Sequence, residues 1–521
     1  MPIISHEYVL LQGRFNPVDN YLIDCGSSTN TSVGNRVFIA DNLASNLLST
    51  PQDVLANTTL KSITSSEDSL LYQTARVFTG SSKYTFQIRQ SGRHWIRLYF
   101  YPFVYNSYDM SAAKFAVSAQ NYVLLSDFSV KNASVKEFSL NVTSNNLVIT
   151  FTPSGSSTAF LNAIEVVSVP DGLITDDANG VPSSANLPDL LPLALQTVWR
   201  VNMGGPTVTV DNDTLWRTWI PDTNFLLNGN SALNYSNLPA VKYVKGVATE
   251  DAAPKTVYGT ARVLNNLSDP SSDPNSNFNI SWEFNVDPGF QYLVRFHFCD
   301  IVSKALNELY FNVYIDSWIV SKDLDPSTYT VNTLAAAFYM DFVTVSTVSN
   351  KLRVSVGPST SSLGGVLPNA ILNGLEIMKM NNSQGSLSSA DTVNISSGSS
   401  SKKNVGVIVG VSIGAFVAAM LAGILCLLCR KRRRLALQRH SKTWTPLSTN
   451  GGNSLSMGKA VIDGDPENST IMIGELSPQV NNFGDSNTSV TTLPFEASSM
   501  NDLSGVSMSR VFSQLVKSEG R

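Results

Sequence analysis

Histidine and cysteine are scarce in this chain, four of each in 521 residues. Only His6, His94 and His297 precede a long apolar run near residue 405, too few for a persuasive nucleophile–base–acid array. No spacing of His, Cys, Asp and Glu suggests a metal site, and no pattern asks for a cofactor. Charge is equally uninformative as a footprint. Lys and Arg number 36 against 40 Asp and Glu, for a net charge of −4, and no basic stripe marks a nucleic-acid partner. Helical periodicity is thin between Asn20 and Met380, which argues against an α-rich enzyme scaffold.

What the chain does have is a run from Val405 to Cys429 without one charged side chain, followed at once by Arg430-Lys431-Arg432-Arg433-Arg434. At about 1.5 Å per residue this run is roughly 38 Å long as a helix, enough to cross a hydrocarbon core of about 30 Å. The cations on its C-terminal side outnumber Lys402 and Lys403 on the other, so the positive-inside rule puts residues 430–521 in the cytosol and the first 404 residues outside. This predicts a single-pass type I protein of the plasma membrane. Ten Asn-x-Ser/Thr acceptors in the outer part agree with passage through the secretory route: Asn30, Asn57, Asn132, Asn141, Asn212, Asn234, Asn266, Asn279, Asn381 and Asn394. Residues 1–19 offer only Tyr8–Leu11 as an apolar stretch, shorter than the ~7 residues of a signal core, and read as the remnant of a longer start. Cys25 and Cys299, in different halves of the outer part, admit either a disulfide or two buried free thiols.

The outer part is predicted to be all-β. Short alternating stretches rich in Val, Ile, Tyr, Phe and Thr recur between Gly, Pro, Asn and Ser clusters. In Leu293–Cys299, period 2 sets Val294, Phe296 and Phe298 on a core face and Arg295, His297 and Cys299 on the other. The segment also repeats itself in order. Asp24-Cys25-Gly26 is echoed by Asn202-Met203-Gly204, Thr74-Ala75-Arg76-Val77 by Thr260-Ala261-Arg262-Val263, Ile96–Phe100 by Val294–Phe298, and Asn162–Val166 by Asn373–Ile377. Drifting offsets in a shared order indicate duplicated β-sandwich domains, at 20–170 and 193–380, with a Pro-rich connector at 171–192. A Ser/Gly-rich stalk, 381–404, leads to the membrane helix, 405–429.

Tyr21–Gly26, Gly92–Phe100, Arg200–Gly205 and Asn373–Lys379 resemble the tandem malectin-like ectodomain of plant receptor-like kinases, in particular the THESEUS type. The resemblance implies two malectin-like sandwiches that perceive secreted RALF-type peptides, often with GPI-anchored co-receptors, and that monitor cell-wall polysaccharide. Ser441–Leu447 resembles the family's juxtamembrane segment, and Ile473–Leu476 with Asp502–Ser509 its C-terminal tail. Between them the expected Ser/Thr kinase domain is missing. Residues 430–521 contain no Gly-x-Gly-x-x-Gly loop, no His-Arg-Asp and no Asp-Phe-Gly, and their polar Ser/Thr/Asn composition predicts disorder.

Three readings follow. The chain is a kinase-less co-receptor or decoy that signals through partners, a shortened version of a cell-wall-sensing receptor kinase, or a wall-modifying enzyme. The third needs paired carboxylates on facing strands. Most Asp and Glu here sit in turn-like contexts such as Pro221-Asp222 and Asp287-Pro288, while Glu165 and Glu376 occupy equivalent places in both copies, as a duplicated structural role requires. For ligand binding the candidates are Arg97, Tyr99 and Tyr101 on one strand face, with Tyr105 and Tyr108 beyond, which either stack on a ligand or cover the back of a sheet. Within the apolar run Gly406, Gly410 and Gly414 recur every fourth residue, a spacing that lets two helices approach and pair with a second copy or with full-length relatives. Replacing Gly410 and Gly414 by Leu is expected to weaken self-association of the helix in a membrane-based dimerisation assay; an unchanged signal refutes the pairing.

Overall fold

The computed structural model describes residues 16–59, 67–265, 279–359 and 369–388. The apolar run, the glycine row, most of the stalk and the cytosolic segment lie outside the described residues. So do the acceptors Asn266 and Asn394. Among the described residues no helix is long and apolar enough to cross a membrane.

One 13-stranded sheet runs through the described part. Its order contains the same quartet twice. Phe338–Val343, Tyr292–Phe298, Gly374–Met380 and Leu195–Asn202 are followed by Ser134–Val142, Gly92–Phe100, Ala163–Ser168 and Asn20–Asp24. Three of the sequence echoes noted above occupy matching places in or at the ends of strands of the two quartets, and the fourth, Thr74–Val77 with Thr260–Val263, lies at the centre of a three-stranded sheet in each half. A five-stranded sheet from Tyr122–Phe128 to Leu48–Ser49 belongs to the first half, and a four-stranded sheet from Ile280–Asn285 to Trp318–Leu324 to the second. Two separate large clusters of apolar side chains result. One is built on Ile96, Leu98, Phe100, Phe115 and Phe151, the other on Val294, Phe296, Phe298, Trp282 and Phe311.

The halves are joined edge to edge. Ser134–Val142 pairs antiparallel with Leu195–Asn202, in the register Glu137↔Thr197, Phe138↔Gln196 and Ser139↔Leu195. An exposed edge strand is an aggregation hazard, and here the first strand of the second quartet covers the last strand of the first. The matching edge in the second half, Phe338–Val343, is covered by Ala178–Gly180 from the connector. The stretch 171–192 is therefore part of the sheet rather than a free link. Arg93 holds its far end by donating from Nη2 to the carbonyls of Leu190, Leu191 and Leu193 at 3.0–3.2 Å.

Two glycines show why the repeated motif is built as it is. Gly26 and Gly204 have φ of +83° and +67°, and a Cβ on either would lie 2.3 Å from the Ala75 carbonyl oxygen or 2.2 Å from that of Ala261. Only glycine accepts both the backbone and the contact. The thiols of Cys25 and Cys299 are buried and free, so the disulfide alternative does not hold.

The stalk begins later than its composition suggests. After Met380 the chain crosses back to the first half. There the Val123 amide donates to Gly385 O at 3.0 Å and the Leu387 amide to Val123 O at 2.8 Å, while Leu387 is buried in the first apolar cluster. Residues 381–388 thus act as a strap that carries one large apolar anchor. Likewise Asp19, assigned above to the N-terminal remnant, is buried against His94 and belongs to the fold. Leu387→Ala is expected to cost about 2–4 kcal/mol, read as a lowered thermal midpoint and faster proteolysis around Val123.

Candidate functional site

Along Gly92–Phe100, alternate side chains face opposite ways, so Trp95, Arg97 and Tyr99 share one face while Ile96, Leu98 and Phe100 enter the first core. Register places Glu137 on one side of Arg97 and Glu165 on the other. Arg97 donates from Nε to Glu137 Oε2 and from Nη1 to Glu165 Oε2, both at 2.8 Å. Arg36 also pairs with Glu165, and its second nitrogen meets Asp68 at 3.0 Å. The Tyr99 hydroxyl donates to Glu165 Oε1 at 2.6 Å and accepts from Arg36 Nη1 at 3.1 Å.

The second half repeats the row with Asp341, Arg295 and Glu376 side by side on three strands. Arg295 grips Asp341 with two hydrogen bonds of 2.7 Å. Arg200 links the rows, donating from Nε to Glu376 Oε2 at 2.8 Å and from Nη2 to Glu137 Oε1 at 2.7 Å. His297 Nε2 approaches Glu376 Oε1 at 3.2 Å, and its Nδ1 lies 3.0 Å from the Tyr258 hydroxyl. A loop of the second half seals the layer. Leu215 and Trp216 pack with Trp95 and Tyr99, and the Leu215 carbonyl accepts from Arg97 Nη2 at 3.3 Å. The Arg97 and Arg200 guanidinium carbons lie 4.8 and 5.9 Å from the Trp95 ring, so cations and indole stack within the layer.

This layer corrects one expectation and adds to two others. The face bearing Arg295, His297 and Cys299 is as buried as the opposite face, because the strand is central and covered on both sides. Asp222, read as turn chemistry, is buried and paired with Arg262 at 2.7 Å, and the Asp287 carboxylate meets Lys379 at 2.8 Å. Most directly, Arg97 and Tyr99 do not reach the surface as ligand contacts. They are 3 % and 2 % exposed, since the flanking carboxylates and the 215–216 loop occupy every direction they could face.

Burial by itself would push the carboxyls up, but Arg200 and Arg97 hold Glu137 well below the usual carboxylate range, and Arg36 and Arg97 hold Glu165 below its ordinary value. Glu376 is held low mainly by Arg200 against the same burial. Burial keeps His297 below its ordinary value despite Glu376. Glu137, Glu165 and Glu376 are buried and spend their carboxylate oxygens on arginine, threonine, tyrosine or histidine partners within the layer, an arrangement that suits a structural core. Among the described residues no group of three or more His, Cys, Asp or Glu is arranged to hold a metal.

The remaining aromatic candidates stay near the surface. Tyr101 is half-buried, 5.6 Å centroid to centroid from Tyr72, and Tyr105 faces Tyr108 across a short hairpin whose Val104 is exposed. All three lie against the rim of the first core. A concavity of about 130 Å³ is lined by Val181, Ile315, Trp318, Val345, Val348 and Lys351 among others, a place no sequence pattern marked. Of the glycosylation acceptors, Asn30, Asn57, Asn132, Asn212 and Asn234 are exposed, and Asn141, Asn279 and Asn381 half-buried.

Arg200→Met is expected to leave Glu137 and Glu376 short of a cation and to destabilise the fold by about 3–5 kcal/mol, seen as a lower thermal midpoint. A midpoint within error of the parent would show that the bridge between the rows is dispensable.

The fold has close counterparts. Residues 23–380 match the family described as Malectin-like domain. The chain is 53% identical over 452 residues to the receptor-like protein kinase HERK 1 of Arabidopsis thaliana, covering 86% of this chain and 52% of that protein. It is 43% identical over 390 residues to THESEUS 1 of the same plant, covering 73% and 44%. It therefore spans about half the length of these relatives. Among solved structures, the ANX1 ectodomain of Arabidopsis thaliana superposes with a TM-score of 0.64 at 28% identity, covering 71% of this chain and 98% of that one. A structure of the plant peptide RALF23 in complex with FER and LLG2 matches with a TM-score of 0.62 at 31% identity, covering 72% and 98%. With two quartets of strands, a matching motif order and a match over residues 23–380, the chain belongs to the malectin-like family.

Proposed function

We propose that this chain is the ligand-binding part of a single-pass plasma-membrane receptor. Its two repeated β units lie outside the cell, its apolar run spans the bilayer, and its last residues lie in the cytosol. The ectodomain binds a secreted RALF-type peptide together with a GPI-anchored co-receptor, cell-wall glycan being a further ligand, and the chain signals through partners. The observation that carries this reading is the likeness of the described fold to a FER ectodomain solved with RALF23 and LLG2. The half-exposed Tyr101, Tyr105 and Tyr108 offer an aromatic surface on the first half, while the acidic side chains of the buried layer are pinned by arginine.

A second reading has its own support. Because the chain covers 52% of HERK 1, it also suits a shortened version of a wall-sensing Ser/Thr kinase. Long-read transcripts over the codons for Lys459 and Ala460 separate the two. If every transcript inserts a kinase-sized segment there, the kinase-less co-receptor or decoy is wrong.

Binding is tested on the full chain in nanodiscs, with a RALF-type peptide and a GPI-anchored partner protein. Alanine at Tyr101, Tyr105 and Tyr108 together is expected to weaken capture of the peptide at least tenfold with the chain still folded at the assay temperature, the thermal midpoint falling because these rings pack on the first core. Undiminished capture moves the binding surface elsewhere, and no capture by the parent chain rejects the receptor reading for this ligand.

A further inference from the structure

The two halves share a cradle that differs in one ionisable group. In the second half, Asn202 accepts from the Thr260 hydroxyl at 2.7 Å and donates to the Pro206 carbonyl at 2.9 Å. In the first half the equivalent position is Asp24, which accepts from the Thr74 hydroxyl at 2.8 Å and from the Thr31 hydroxyl at 2.5 Å. The threonine partner and the neighbouring acid–arginine pair are matched. Asp41 accepts from the Gly26 amide and pairs with Arg76, just as Asp222 accepts from the Gly204 amide and pairs with Arg262.

Asp24 is 1 % exposed, and no cation lies within ion-pair distance of it among the described residues. The groups that face it are Thr31 and Ser27 from the loop after its own strand, Thr74 from the neighbouring strand, and the Asp41 carboxylate, whose charge Arg76 answers. The Cys25 thiol is its neighbour along the chain. An ionised Asp24 is thus a buried anion supported by hydroxyls alone and repelled by a second carboxylate.

The loop above it reaches across the molecule. Thr31–Val33 pairs with Arg36–Phe38, the Asn35 amide donates to Asp211 Oδ1 of the second half at 2.9 Å, and exposed Asn30 holds the Ala40 amide at 2.8 Å. Loop opening would let water reach the carboxylate and at the same time free the contact with Asp211.

We propose that Asp24 is a proton-operated fastener: when protonated it lets residues 27–35 close over it, and when ionised it favours their lifting from the cradle and from Asp211. Burial pushes the Asp24 carboxyl up to about 6, against the Thr31 and Thr74 hydroxyls that pull it down. An acid raised in the closed state contributes stability that is full below its ordinary pKa of about 3.9 and is lost as pH rises through about 6. Opening therefore grows with pH and then levels off once both states are ionised.

The test is hydrogen–deuterium exchange of the full chain in detergent micelles between pH 5 and pH 8, corrected for intrinsic exchange, on peptides covering Thr31–Asn35. Opening of this loop is expected to rise about tenfold from pH 5 to pH 7 and to be flat above. Asp24→Asn, which copies the residue of the second half, is expected to abolish the rise while peptides around Asn202 stay unchanged. Thr31→Val removes one hydroxyl from the carboxylate and is expected to move the plateau to higher pH, which keeps the proposal testable if the first variant folds poorly. A flat profile in the parent, a rise that survives in Asp24→Asn, or a plateau unmoved in Thr31→Val overturns it.

Discussion

The described structure depends on Arg200. It sits in Leu195–Asn202, the edge strand of the second half's quartet, yet its guanidinium is shared between Glu137 of one charge row and Glu376 of the other. Two carboxylates and a guanidinium taken out of water are costly unless each finds partners, and the partners here come from both halves. The same layer explains why the halves join through one continuous sheet instead of a loose link. With the seam between Ser134–Val142 and Leu195–Asn202 opened, Glu137 would keep Arg97 but lose Arg200, while Arg200 would stay with Glu376 on the neighbouring strand of its own half.

The repeated strand order makes the two rows comparable, and comparison separates scaffold from specialisation. Arg97 and Arg295 each stand between two acidic residues on adjacent strands, and Asn162 and Asn373 each receive a backbone amide from the end of the preceding core strand. Such pairs describe what the β unit needs in order to fold. Differences at matched positions are more informative about function. Asp24 against Asn202 is one, because it introduces a titratable group where the twin has none. The aromatic hairpin at Tyr105 and Tyr108 is another surface feature, found among the described residues in the first half.

The β class, the twofold repeat and the resemblance to malectin-like ectodomains were legible because period-2 alternation and motif order are local or nearly local properties. The buried charge layer was half legible. Ile96-Arg97-Leu98 and Val294-Arg295-Phe296 announced a repeated arginine in a core strand, and Glu165 and Glu376 a repeated acid. Arg36, Asp68, Glu137 and Arg200 were not, since partners separated by 32 to 176 residues meet only through the tertiary fold. For the same reason Arg97 and Tyr99 read as a surface pair until the 215–216 loop was seen to cover them.

From sequence alone came the alternation that makes strands, the glycines that the Asp24 and Asn202 turns require, the order of the repeated motifs and the apolar run expected to cross a bilayer. These follow from side-chain chemistry within a few residues of chain, or from comparing the chain with itself. Tertiary structure decided which faces are dry, that the connector and residues 381–388 are bound into the fold, and that one arginine serves two carboxylates. Those outcomes depend on which strands become neighbours, and burial of a charge is set by everything that surrounds it in space.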